Sequence, residues 1–304
     1  MAVRIAVALS IGTAVLATSI LALGATAAVF VGSVLLVGLN ILDYETSVLP
    51  DSALLLVLAA GGCLGLIYGI YRVALSIRRE RKALVPTEEP TSNRGGEVSD
   101  RIVRLSQQLD ISTPAVRLLD TAYPVSYTSY SPDAPLIPST DANPTIVVSS
   151  GLYELLTPAE LDAVLAHELA HIANDDLRLI TMIRLPLLFA ESLSSEVGYP
   201  TNITEILGVA LTTVATRGVG IVARARELAA DRGAVALTGD PNALVSALEA
   251  LEKHDEGEPD DVLEEFTHSA SSIAIYPVFG NRRWPSTPRH HPSLSQRTNN
   301  LKSK

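Results

Sequence analysis

The feature that most constrains the fold is an uncharged stretch of 38 residues, from Ile5 to Leu42. It consists mostly of Ala, Val, Leu, Ile, Gly and Thr. A helix needs about 20 such residues to cross the hydrocarbon core of a bilayer. The stretch therefore predicts a membrane-spanning helix close to the N-terminus.

A second apolar run extends over residues 52–77 and is interrupted only by Arg72. The two runs predict a transmembrane hairpin over residues 1–82, with spans at about 10–39 and 52–77. A short acidic loop separates the runs, and four basic residues follow the second one: Arg78, Arg79, Arg81 and Lys82. Because basic residues accumulate on the cytoplasmic side, we expect both ends of the hairpin to be cytoplasmic.

A cleaved signal peptide is the alternative interpretation of the first run, with Ala25-Thr26-Ala27 as the small-residue site. The apolar stretch is much longer than a signal sequence requires, and it continues beyond that site. The pattern therefore favours the hairpin.

Composition excludes several classes of protein. Hydrophobic residues make up 47% of the 304 residues and charged residues 18%, which excludes a disordered chain. The net charge of −10 disfavours nucleic-acid binding through a basic face. The single cysteine, Cys63, excludes a disulfide scaffold and a cysteine-based zinc site, and no nucleotide-binding motif is present.

The rest of the chain is interpreted as a linker over residues 83–98 and a cytoplasmic domain over residues 99–304. Within this domain, residue patterns predict a helix at 100–109 and strands at 115–119, 125–130 and 145–149. The sequence Thr157-Pro158-Ala159-Glu160 combines an N-cap threonine, a proline at the first helical position and the glutamate of a capping box. It predicts a helix from Pro158 to about Asn174.

That helix contains an H-E-x-x-H motif formed by His167, Glu168 and His171. Residues four apart lie on one helix face, so both imidazoles can bind one Zn²⁺. Glu168 is placed to act as general base on a zinc-activated water.

A catalytic zinc ion needs a third protein ligand. Glu227 is a candidate because Glu227 and Asp231 lie one turn apart in a predicted helix, where one can bind metal and the other can orient a ligand histidine. The remaining candidates are histidines downstream of the motif: His254, His268, His290 and His291.

The segment SSGLYELLTPAELDAVLAHELAHIANDDL, residues 149–177, resembles the core of the HtpX-type membrane zinc metallopeptidases. This family is related to the prenyl-protein (CAAX) endopeptidases. The resemblance extends to the preceding membrane segments, to ELAAD at residues 227–231, and to HPSLSQR at residues 291–297.

The resemblance implies an α+β, mainly α, fold: the N-terminal hairpin plus a zincin-type metallopeptidase domain with a small sheet. It implies one Zn²⁺ per chain on His167, His171 and Glu227, with Glu168 as general base and Asp231 behind the ligands. Strand 145–149 is expected to be an edge strand that pairs with an extended substrate.

The sequence leaves two features undecided. Contacts to the oxyanion or the substrate are assigned to three candidates, His291, Arg297 and Tyr276, although Arg297 could instead tie the C-terminal segment to the domain. Two further candidate membrane helices, at about 177–193 and 203–223, are either spans or amphipathic helices that abut the membrane.

The sequence thus predicts a multi-pass plasma-membrane zinc endopeptidase with a cytoplasmic catalytic domain. Its expected partners are protein or peptide substrates, which we expect to be misfolded or membrane proteins, and the lipid bilayer, with no nucleic acid or nucleotide. Two alternatives are a processing peptidase for lipidated or peptide substrates and a non-catalytic membrane scaffold with a structural zinc.

Overall fold

A computed structural model of the chain describes residues 2–41, 51–85, 93–139, 142, 144–193, 203–255 and 294–302. These residues form a three-stranded sheet and nine helices, so the predicted mainly helical α+β fold is confirmed. The strands are β1 (Ala115–Leu119), β2 (Ser126–Ser129) and β3 (Thr145–Ser149). The helices are α1 (Ala2–Ile41), α2 (Asp51–Leu84), α3 (Asn93–Leu109), α4 (Ser150–Leu155), α5 (Pro158–Ala173), α6 (Asp176–Ser192), α7 (Ile203–Thr238), α8 (Pro241–Asp255) and α9 (Leu294–Lys302).

The chain forms two compact units. The sheet unit comprises the described residues of Ile77–Met182 and Val219–Lys304. The hairpin unit comprises Ala2–Ser76 and Ile183–Gly218. The domain boundaries expected from the sequence stay a prediction.

The hairpin unit is built by close packing of α1 against α2. A Cβ atom added to Gly65 would lie 2.4 Å from the Cβ of Ala27, so the absence of a side chain allows the two helices to approach closely. Large apolar side chains are exposed on the outside of both helices, with Leu21 at 72% and Leu56 at 70%. This distribution fits helices that face lipid rather than water.

Three helices among the described residues are long and apolar enough to cross a membrane: Leu9–Val29, Leu55–Lys82 and Ile203–Thr238. The candidate span at 203–223 falls within the third of these. The candidate at 177–193 corresponds to α6, which contains Pro186 and is not among the three.

The sheet has the strand order β1-β3-β2, with β3 parallel to β1 and antiparallel to β2. The predicted bounds of β3 are confirmed, but the expectation that it is an edge strand is wrong. Neighbouring strands pair with both of its sides, and all five of its residues are buried. Within the described part of the chain, β2 is the edge strand that lies next to α5.

Helix α5 begins as its sequence predicts. The Thr157 hydroxyl accepts a hydrogen bond from the Glu160 amide, and Glu160 Oε2 accepts one from the Thr157 amide at 2.8 Å. The predicted capping box is therefore confirmed, and the helix ends at Ala173, one residue before the expected end.

Helices α3 and α8 pack against α5 and enclose the core of the sheet unit. Helix α3 begins at Asn93, and α2 continues to Leu84, so the expected linker at 83–98 is partly helical. Val98 and Ile102 are fully buried, and Glu97 forms a 2.9 Å ion pair with Arg101 one turn on. Packing and pairing thus outweigh the low helix propensity of the glycine pair at 95–96.

Candidate metal centre

The two histidines of the H-E-x-x-H motif meet on one face of α5. Their Nε2 atoms are 3.1 Å apart, and the ring centroids are separated by 4.7 Å in an edge-to-face arrangement. His167, Glu168 and His171 are all buried. The motif therefore places two imidazole nitrogens at one point inside the sheet unit.

Glu227 on α7 completes the cluster. Its Oε1 lies 3.3 Å from His171 Nε2, and its Oε2 lies 3.7 Å from His167 Nε2. One ligand atom from each of the three residues lies within 4.8 Å of the others. Helix α7 comes this close to α5 at Gly233, where an added Cβ would lie 2.7 Å from the Cβ of Ala170.

These donors fit a zinc ion. Two imidazoles and one carboxylate form a common protein ligand set for catalytic zinc. Tetrahedral ligands at about 2.0–2.1 Å from zinc lie roughly 3.3 Å apart. The 3.1 and 3.3 Å separations within the cluster match that spacing.

Each imidazole has its own carboxylate on the opposite ring nitrogen. Asp231 Oδ1 lies 3.1 Å from His167 Nδ1, and Asp176 Oδ2 lies 2.8 Å from His171 Nδ1. Both aspartates are buried. An Nδ1 proton shared with a carboxylate leaves Nε2 as the metal-binding atom and fixes the ring orientation.

A tight turn between α5 and α6 positions Asp176. Asp175 adopts a left-handed backbone conformation, with φ of 55°, which aspartate tolerates better than most residues. The turn carries the first residue of α6 back to His171. Asp176 also forms an ion pair with Arg226, which directly precedes Glu227, so this pair joins α6 to the helix that supplies the third ligand.

Burial alone would lower the pKa of His171. Hydrogen bonds with Asp176 and Glu227 outweigh this effect and raise the pKa to about 10. A metal ion that binds this imidazole must therefore displace a proton.

Arg297 on α9 balances the acidic charge around the cluster. Its Nε donates to Asp231 Oδ2 at 2.9 Å, its Nη2 donates to Asp231 Oδ1 at 2.5 Å, and its Nη1 lies 3.8 Å from Glu227 Oε2. Burial works to lower the pKa of Arg297, but bonding to Asp231 raises it above its usual value. Arg297 thus ties the C-terminal helix to the carboxylate behind His167, as one of the two sequence interpretations expected.

Glu168 is oriented from the sheet. The Thr128 hydroxyl of β2 donates a 2.8 Å hydrogen bond to Glu168 Oε2, and both residues are buried. This bond connects the edge strand directly to the carboxylate that the sequence assigns as general base.

Other sequence candidates lie elsewhere. His254 is at the end of α8, where its ring packs edge-on against Tyr123 at 5.7 Å, away from the cluster. Four candidates lie outside the described residues: Tyr276, His268, His290 and His291.

Sequence reasoning missed three residues of the site: Thr128, Asp176 and Arg226. Asp176 follows the H-E-x-x-H motif in the sequence, and Arg226 directly precedes Glu227. Because a ligand histidine usually donates its second ring N–H to a carboxylate, Asp176 could have been predicted as such a partner. Thr128 reaches Glu168 through the pairing of distant strands, and the local sequence gives no sign of this contact.

Comparison with known proteins agrees with this geometry. The family model described as Peptidase family M48 matches residues 97–304, a region that contains the whole cluster.

Curated relatives include Protease HtpX homolog 2 of Methanosarcina acetivorans, which is 27% identical over 215 residues covering 66% of this chain and 70% of the relative. Protease HtpX homolog of Methylibium petroleiphilum is 32% identical over 186 residues, covering 56% of this chain and 64% of the relative. The homolog of Burkholderia thailandensis is 29% identical and is covered over 65% of its length. The chain thus spans about two thirds of the relatives it matches.

The crystal structure of S. mikatae Ste24p is similar to this chain with a TM-score of 0.45 and 18% identity. The match covers 82% of this chain and 64% of Ste24p.

Proposed function

The chain belongs to peptidase family M48 as an HtpX-type metalloprotease, and we propose that it is a membrane-anchored, zinc-dependent endopeptidase. In this proposal His167, His171 and Glu227 hold one zinc ion per chain. Glu168 is the general base, and Asp231 and Asp176 orient the ligand histidines.

One observation carries the proposal: the ligand atoms of His167, His171 and Glu227 converge within 4.8 Å beside Glu168. A buried cluster of two imidazoles and several carboxylates is unfavourable unless the groups are paired or bind a metal. Glu168 is adjacent in sequence to a ligand but is not part of the converging set, as a general base requires.

A bound zinc ion would polarise the scissile carbonyl and lower the pKa of water to about 7. Glu168 accepts the proton of the attacking water and transfers it to the leaving amine. Because Thr128 bonds Oε2, we assign the proton transfer to Oε1. Asp231 and Asp176 keep the Nδ1 protons of the two ligand histidines in place during both steps.

We assign substrate binding to β2 rather than to β3. An extended peptide can add to a free strand edge through main-chain hydrogen bonds, with little dependence on sequence. β2 is one of the two edge strands of the described sheet, and it is the one whose Thr128 contacts Glu168. A peptide paired along β2 would present a backbone carbonyl next to the general base.

The three apolar helices and the HtpX-type family make the chain a membrane protein. We further propose that it spans the plasma membrane several times with its catalytic domain in the cytoplasm. The basic residues at the end of α2 support this orientation. Misfolded or surplus membrane proteins are the proposed substrates.

The metal centre is tested by measuring the zinc content and casein cleavage of detergent-purified protein. We expect one zinc per chain, with cleavage abolished by a chelator and restored by added zinc. Glu227→Ala should lose its zinc on dialysis, because only two protein ligands remain. Glu205→Ala, at the start of the same helix, is the control that should retain it. Unchanged zinc content in Glu227→Ala would show that the third ligand is another residue.

A further inference from the structure

Arg81 is a buried charge that the proposed chemistry does not use. Sequence reasoning counted it among the basic residues that orient the membrane hairpin. Arg81 is only 5% exposed, whereas the other three basic residues at the end of α2 are exposed: Arg78, Arg79 and Lys82. Burying a guanidinium is unfavourable unless its donors are hydrogen-bonded, so the bonds of Arg81 show what it stabilises.

Those bonds all lead to one loop. Arg81 Nη1 donates to the carbonyl oxygens of Ala134 and Pro135, each at 3.0 Å, and Nη2 donates to that of Leu136 at 3.4 Å. The guanidinium carbon also lies 5.6 Å from the centre of the Tyr130 ring. A planar fork of donors can bind three successive carbonyls, which a lysine could not do equally well. We call residues 131–139 the Arg81-bound loop.

The Arg81-bound loop is the direct continuation of β2. Thr128, which bonds Glu168, precedes the loop by three residues. An extended chain rises about 3.3–3.4 Å per residue, so the first residue of the loop lies at most about 10 Å from Thr128. Tyr130, at the base of the loop, is buried, and burial together with the nearby Asp175 carboxylate raises the pKa of its hydroxyl. Arg81 and the buried Tyr130 thus hold the loop in place just after the end of β2.

The loop presents apolar surface. Ile137 is 44% exposed, Pro135 is exposed and Leu136 is partly buried. A peptide that pairs along β2, with its scissile bond at Glu168, would pass this surface a few residues away from that bond.

We propose that the Arg81-bound loop forms a subsite for a large apolar side chain of an extended substrate, two to four residues from the scissile bond, and that Arg81 is the positioning residue of this subsite. The inference rests on the proposed peptidase function and on peptide pairing along β2. It adds a selective contact to a binding mode that otherwise recognises only backbone.

The test uses full-length protein in detergent with internally quenched peptides, in which leucine or alanine is placed in turn at each position around the cleaved bond. The measured quantity is the ratio of kcat/KM for the leucine peptide to that for the alanine peptide at each position. Wild-type protein should prefer leucine at one position, two to four residues from the bond. Ile137→Ser and Arg81→Met should each lower that ratio about tenfold, while Arg79→Met, at an exposed arginine of the same helix, should retain it.

Three results would overturn the inference: no leucine preference at these positions in the wild type, an unchanged profile in Ile137→Ser, or an equal loss for all peptides in Arg81→Met. The last would indicate a purely structural role for Arg81. Ile137 is exposed, so its variant tests the subsite without disturbing the core.

Complete inactivity of the wild type would instead contradict the proposed function. In that case, binding of the same peptides to Glu168→Gln protein, measured by fluorescence anisotropy, decides the inference. About tenfold tighter binding of the leucine peptide, lost on Ile137→Ser, would support the subsite, and equal affinities would reject it.

Discussion

The side chains behind the proposed metal ligands distinguish this cluster from a pair of histidines exposed on a helix. His167 faces Asp231, which is bonded to Arg297, and His171 faces Asp176, which is paired with Arg226. Each imidazole is thus held by a buried carboxylate and an arginine from another helix. Such partners fix the tautomer of a ligand histidine and raise its basicity.

Replacing Asp176 by asparagine should lower zinc affinity by about 10- to 100-fold, because His171 loses the carboxylate that orients its ring. Competition with a chromophoric chelator measures this affinity without reference to activity. Asp175→Asn is the matched control. The Asp175 side chain is 46% exposed, and asparagine tolerates the left-handed backbone conformation at this position. Equal zinc affinities in both variants would exclude a positioning role for Asp176.

Local spacing allowed His167, Glu168 and His171 to be predicted, because a helical period alone brings residues four apart to one face. The same spacing made Glu227 and Asp231 candidates beside four downstream histidines, and the family resemblance then implied their roles. Thr128 could not be found, because its contact depends on β2 pairing with β3 and packing on α5. The placement of His291 and Tyr276 stays a prediction, since both lie outside the described residues.

Helices α5 and α7 bring the proposed metal ligands together by close approach. Gly233 on α7 faces Ala170, the residue directly before His171. A methyl group at Gly233 would overlap the Ala170 side chain, and α7 would have to move away from the histidines.

Gly233→Ala should therefore lower the midpoint of thermal unfolding and weaken zinc binding, although alanine is the better helix former. Gly96→Ala on α3 is the control, because nothing lies within 4 Å of an added Cβ there. That change should stabilise the protein slightly, by about 0.5–1 kcal/mol. A Gly233→Ala protein with unchanged zinc affinity would show that this contact does not set the position of Glu227.

The strands illustrate what sequence patterns can and cannot specify. The run TIVVS and its flanking residues were sufficient to predict the bounds of β3. Strand order depends on pairing between distant segments, and the expectation of an edge strand, which accompanied the family resemblance, is wrong. A run buried at every position is more typical of a strand with neighbours on both sides.

At the level of the whole chain, the length of the uncharged stretches was the strongest predictor of the membrane helices. The first two predicted spans, at 10–39 and 52–77, overlap the apolar helices at Leu9–Val29 and Leu55–Lys82. The third, in α7, was ambiguous because Glu205 and Arg217 interrupt its apolar character. The same helix also carries Glu227, the proposed third metal ligand.

A reporter fused after Lys82 should be cytoplasmic, because the basic residues at the end of α2 are retained on that side. The control is the same reporter placed in the acidic loop between α1 and α2, which should be on the opposite side. Accessibility to a membrane-impermeant reagent in intact cells measures both. Labelling of the Lys82 fusion from outside would reverse the proposed orientation of the catalytic domain.

The central claim is that a zinc centre with Glu168 as general base hydrolyses peptide bonds. The most direct test measures zinc content and casein cleavage of detergent-purified wild-type and Glu168→Gln protein side by side. We predict one zinc per chain in both proteins and cleavage by the wild type only, since glutamine cannot accept the proton. Cleavage by Glu168→Gln at the wild-type rate, or absence of zinc from both proteins, would contradict the account.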